Sequence, residues 1–92
     1  MPQVFKIGSY WVYFLTNEGS PVEPIHVHIA KDGPTENATK VWITSRGKCL
    51  VANNNSNIPT HILNNMVRMI EARSSEVIEK WTDYFGEPDY FV

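Results

Sequence analysis

The chain reads as a small α+β protein: an antiparallel β-meander of about five strands, covered on one face by a long C-terminal helix. Three observations predict this. Through the first half, short apolar runs and alternating apolar and polar residues end at Gly, Pro, Asn or Asp, the pattern of half-buried strands joined by turns. From Leu63 to Phe85 the apolar residues instead recur at spacings of three and four, with no Gly or Pro among them. Ninety-two residues supply surface for one modest core, so residues 1–92 are expected to form one domain.

The elements follow in order. Residues 4–7 are an apolar run ended by Gly8-Ser9, and residues 10–15 are six consecutive aromatic or aliphatic residues, so a hairpin is the simplest arrangement. Asn17-Glu18-Gly19-Ser20-Pro21 breaks the chain. A third strand, residues 25–30, ends at Lys31-Asp32-Gly33-Pro34, where Gly permits unusual φ and Pro fixes it. A fourth, residues 39–44, puts Val41 and Ile43 on one face with Lys40, Trp42 and Thr44 on the other, and Ser45-Arg46-Gly47-Lys48 turns it into a fifth, residues 49–52. Connections this short favour antiparallel neighbours.

The polar loop 53–57 precedes Pro59, which suits the first turn of a helix because its missing N–H has no partner there anyway. Leu63, Met66, Val67, Ile70, Val77, Ile78, Trp81, Tyr84 and Phe85 lie on one helical face, and Gly86 and Pro88 stop the helix. Ser74 or Ser75 is able to cap a second helix, yet the apolar phase passes through unshifted. One helix over residues 59–85, with room for a kink, is therefore expected. At 1.5 Å per residue it reaches about 40 Å against the roughly 30 Å of a compact chain this size. An overhang for a partner or a second copy follows. Residues 87–92 end in an apolar tail, Tyr90-Phe91-Val92, suited to adding a strand or docking on a partner.

Eight Lys and Arg against ten Asp and Glu give a formal charge of −2, so the totals carry no nucleic-acid footprint. Lys40, Arg46 and Lys48 are close enough in sequence to form a local basic patch. The single Cys49 excludes an internal disulfide, and no N-terminal run has the form of a secretory signal, so a cytoplasmic location is expected. Cys49 sits in an apolar strand-like run and reads as a small hydrophobe rather than a nucleophile. No apolar run approaches the roughly 20 residues of a membrane helix, and no membrane association or cofactor is expected.

The residues that invite a functional reading are His26 and His28, in Pro24-Ile25-His26-Val27-His28-Ile29. On a strand, i and i+2 share a face, so the imidazoles project together while Ile25, Val27 and Ile29 face the core. In a metal reading the pair supplies two ligands, and His61, Glu23, Asp32 or Glu36 a third; the chain has no Cys-x-x-Cys or His-Glu-x-x-His, and no metal site is assigned. In a catalytic reading one ring is general base and the other general acid at a phosphodiester, with Tyr13, Lys40 and Arg46 as binding groups. In a structural reading, which ranks first, the pair lies on a half-exposed face beside Trp42 or Tyr13 and makes local hydrogen bonds or meets a protein partner. Trp11, Tyr13 and Trp42 are also able to form an aromatic platform, although core packing against the helix is the commoner fate of such residues.

Four segments together, Met1-Pro2-Gln3-Val4-Phe5, Tyr13-Phe14 with Asn17-Glu18, Pro24-Ile25-His26-Val27-His28, and Trp81-Thr82-Asp83-Tyr84-Phe85-Gly86, resemble the small prokaryotic domain of unknown function 4160 family. The family motif is Pro-Pro-His-x-His; here Ile25 replaces the second proline, which loosens the approach to the strand and leaves the histidine spacing intact. The resemblance implies no settled activity. It does imply a gene context, in which members are encoded beside another small protein, and hence a toxin–antitoxin-like pair. The expected function is accordingly a protein-interaction module binding a co-encoded protein or a second copy. The alternatives are a ribonuclease-like toxin using His26 and His28, and a His-x-His metal-binding protein.

Overall fold

The computed structural model describes residues 3–16 and 23–91. Five strands and two helices follow one another: β1 (Gln3–Ile7), β2 (Tyr10–Tyr13), β3 (His26–Lys31), β4 (Thr39–Ile43), β5 (Cys49–Asn53), α1 (Thr60–Ala72) and α2 (Ser74–Phe85). The expected break at Asn17-Glu18-Gly19-Ser20-Pro21 lies outside the described residues, as do Met1, Pro2 and Val92. The strands form one antiparallel sheet in the order β1-β2-β3-β4-β5, the expected meander. Its edges are therefore β1 and β5.

Alternation decides which residues enter the core. Val12, Ile29, Val27, Val41 and Ile43 join one buried cluster with Leu63, Met66 and Ile70 of α1 and with Val77 and Trp81 of α2. Trp11, Tyr13, His28, Lys40 and Trp42 occupy the intervening positions and so the second face of the sheet. The second strand is two residues shorter than the apolar run suggests, because Phe14 leaves the ladder to meet Trp81, ring centroids 5.2 Å apart.

The single long helix is corrected to two. Arg73, at φ −114° and ψ 22°, ends α1 and begins α2, and neither Ser74 nor Ser75 supplies a side-chain cap. A straight helix of about 40 Å exceeds the 32 × 26 × 19 Å extents of the molecule, so the break brings the second half back onto the cluster. The overhang does not occur. Apolar phase survives because a single residue departs from helical geometry while the Arg73 N–H still donates to the Met69 and Ile70 carbonyls at 3.2 and 3.1 Å. The Arg73 guanidinium lies 4.1 Å from the Phe5 ring centroid and pairs with Glu76 at 2.8 Å, which fixes the corner. Gly47, in the β4–β5 turn at φ +75°, abuts this corner, since a Cβ there would come within 2.9 Å of Ser74 Oγ.

Tyr84, expected on the packing face, is 59% exposed and touches Phe14 only edge-on. The tail does not stay free. The Ile25 N–H donates to the Asp89 carbonyl at 2.9 Å, and Phe91 stacks on Trp42 with centroids 4.8 Å apart and planes 7° from parallel. Among the described residues the expected extra strand is thus reduced to one backbone hydrogen bond, and residues 87–91 dock on the chain's own sheet.

Candidate functional site

Cross-strand register assembles the site on the second face. Gln3 pairs with Tyr13, Tyr13 with His28, His28 with Lys40 and Lys40 with Asn53, so one polar side chain from each strand lies in a row across the sheet. His26 and Trp42 form the adjacent rung. Sequence reasoning identified His28, Tyr13, Lys40 and Trp42 as candidates but missed Gln3 and Asn53, because only strand register reveals that they share the row.

The two histidines project together, ring centroids 5.0 Å apart and nearly perpendicular. Their environments differ. His26 has no accessible surface, whereas His28 is half-buried. The half-exposed pair expected from alternation is corrected for His26, whose ring stands edge-on to Trp42 at 5.6 Å and to Trp81 at 5.3 Å. Its Nδ1 donates to the Pro24 carbonyl at 2.9 Å. A carbonyl only accepts, so Nδ1 carries the proton of this hydrogen bond. His28 lies over Tyr13 with centroids 5.5 Å apart and planes 34° from parallel.

Tyr13 is buried, but beneath the loop after β3 rather than against a helix: the Thr35 N–H donates to its hydroxyl at 3.4 Å. The same loop brings Gly33 over the half-buried Trp11, so the aromatic platform is partly roofed. Lys40 Nζ pairs with Glu23 Oε1 at 2.8 Å and sits 4.3 Å from the Trp42 ring centroid. Glu23, named by sequence only as a distant metal ligand, thereby neutralises the row's cation. Gln3 Nε2 is buried without a hydrogen-bond partner among the described residues.

Arg46 does not join this group. It lies in the β4–β5 turn, where Thr44, Ser45, Arg46 and Lys48 line an open pocket of about 360 Å³. The proposed basic patch of Lys40, Arg46 and Lys48 is therefore divided between the row and the turn. His61 is exposed at the start of α1, away from the pair in the chain's path. Among the described residues, no three His, Cys, Asp or Glu are grouped closely enough to hold a metal ion, and no helix is long and apolar enough to cross a membrane.

Cys49 is half-buried on the edge strand, where burial first and the Glu71 carboxylate second push its thiol up to about 12 from 9.0. Glu71 is placed there by the hydrogen bond that the Cys49 N–H donates to its Oε2 at 2.9 Å. Because the folded chain holds the thiol proton more tightly than the unfolded one, this stabilisation is complete below pH 9 and is lost as pH rises towards 12. Between pH 9 and 12 the wild type should therefore lose more stability than Cys49→Ala, measured by thermal melts. Iodoacetamide at pH 8 should leave the folded thiol unmodified while alkylating the unfolded chain.

No curated protein and no solved structure matches this chain. A family model does, over residues 9–82, a span that includes Tyr13, both histidines, Lys40, Trp42 and Trp81. The chain belongs to the family described as Domain of unknown function (DUF4160).

Proposed function

We propose that the protein is a protein-interaction module, one half of a toxin–antitoxin-like pair, and that its small co-encoded partner adds a strand to β5. The observation that supports this is the unequal treatment of the two sheet edges. At β1, Lys80 Nζ reaches from α2 to the Gln3 and Val4 carbonyls at 3.4 and 3.3 Å, occupying groups on which another strand would pair. At β5, among the described residues, Glu71 occupies only the Cys49 N–H, and Leu50 and Val51 remain 44% and 38% exposed. An edge with open backbone groups and apolar side chains suits strand addition, with backbone hydrogen bonds for affinity and side-chain pockets for selectivity.

The test is co-purification of the neighbouring gene's product with the tagged chain. Wild type should retain it, and Leu50→Glu with Val51→Lys should release it while circular dichroism stays unchanged. Retention by that double variant, or no capture by wild type, would reject β5 as the interface.

A second reading, a ribonuclease-like toxin, draws on charge separation. Residues 1–53 carry five Lys and Arg against four Asp and Glu, whereas residues 54–92 carry three against six. The sheet is thus more basic than the whole chain. In this reading His28 meets the substrate beside Tyr13 and Lys40, and the buried His26 positions it. RNA cleavage with a pH optimum near neutrality, abolished in a folded His28→Ala variant, would favour this reading over the first.

A further inference from the structure

Residues 87–91 leave α2 through Gly86, whose φ of 81° and ψ of −164° fall in a region essentially restricted to glycine. They return to the start of β3 and finish on β4. Asp89 accepts the Ile25 N–H, Tyr90 packs partly buried against the core, and Phe91 covers Trp42. Ile25 precedes His26 in the chain, and Trp42 is its cross-strand partner. The two anchor points therefore bracket a ring that has no accessible surface.

Among the described residues these anchors are one backbone hydrogen bond at 2.9 Å, one stack made by a Phe that stays 54% exposed, and a Tyr90 that is only partly buried. The sheet beneath is held by pairing of residues 26–29 with β4 and of residues 28–31 with β2. Segments with few buried contacts open at a fraction of the global unfolding free energy. We infer that residues 87–91 are a strap, hinged at Gly86, which opens independently of the sheet and controls access to His26 and to the Trp42 face. Opening exchanges the Ile25 hydrogen bond and the ring stack for water and leaves the β3–β4 ladder intact. The strap does not depend on the β5 interface, and its failure would leave that interface standing.

Two measurements on the intact 92-residue chain test it. In the wild type, the Ile25 amide should exchange with deuterium at least about tenfold faster than the amides of Val27 and Val41. In Phe91→Ala, Ile25 exchange and carbethoxylation of His26 by diethyl pyrocarbonate should each rise by about tenfold or more, while Val27, Val41 and the exposed His61 keep wild-type rates. Equal exchange of Ile25, Val27 and Val41 in the wild type would overturn the strap, as would unchanged His26 reactivity in folded Phe91→Ala. If Phe91→Ala does not fold, the wild-type comparison decides alone.

Discussion

Trp81→Ala should destabilise the fold by about 3–5 kcal/mol, the cost of emptying a buried aromatic site. The ring is 1% exposed and touches Phe14 at 5.2 Å, Phe85 at 4.5 Å and His26 at 5.3 Å between centroids. It joins α2 to the chain leaving β2 and to the first residue of β3, so no single element is able to collapse into the void. Chemical denaturation of wild type and variant measures the difference. Trp81→Phe, which keeps an aromatic ring in the same site, should recover a large part of it, and a loss below about 1 kcal/mol in Trp81→Ala would show that the site repacks.

Alanine at the two histidines should have unequal effects. His26→Ala removes a fully buried ring that donates to the Pro24 carbonyl and rests against Trp42 and Trp81, so about 2–4 kcal/mol should be lost through the cavity and the orphaned acceptor. His28→Ala removes a half-buried ring from one face of Tyr13, and about 1 kcal/mol or less is expected. Paired urea titrations check this ordering. The consequence for function is direct: loss of activity in His26→Ala carries a folding effect, whereas His28→Ala reports on the site itself. A doubly substituted variant, His26→Ala with His28→Ala, would confound the two.

These cases show why one half of the site was legible in the sequence and the other was not. The i, i+2 spacing of His26 and His28 is a local property of a strand, and it placed both rings on one face before any tertiary contact was known. Burial is not local. The alternation that marks His26 as polar-facing carries no information about Trp81, 55 positions along the chain, or about the tail that returns to Ile25 and Trp42. Similarly, Gln3 and Asn53 become members of the polar row only through registers that include irregularities in both the β1–β2 and the β4–β5 pairings. Arg46 shows the converse: its proximity to Lys40 in sequence did not put it in the row, because it lies in the β4–β5 turn.

The sequence by itself determined the strand succession, the antiparallel meander, the helical half and the family, because period-2 and 3.6-residue patterns and turn residues act within a few positions of themselves. Tertiary structure alone decided that the helix divides at Arg73, that His26 is sealed while His28 is not, and that the tail closes on its own sheet. Each of those outcomes depends on how much room a 32 Å molecule has to bury apolar surface, a constraint set by the whole chain and written in no single segment of it.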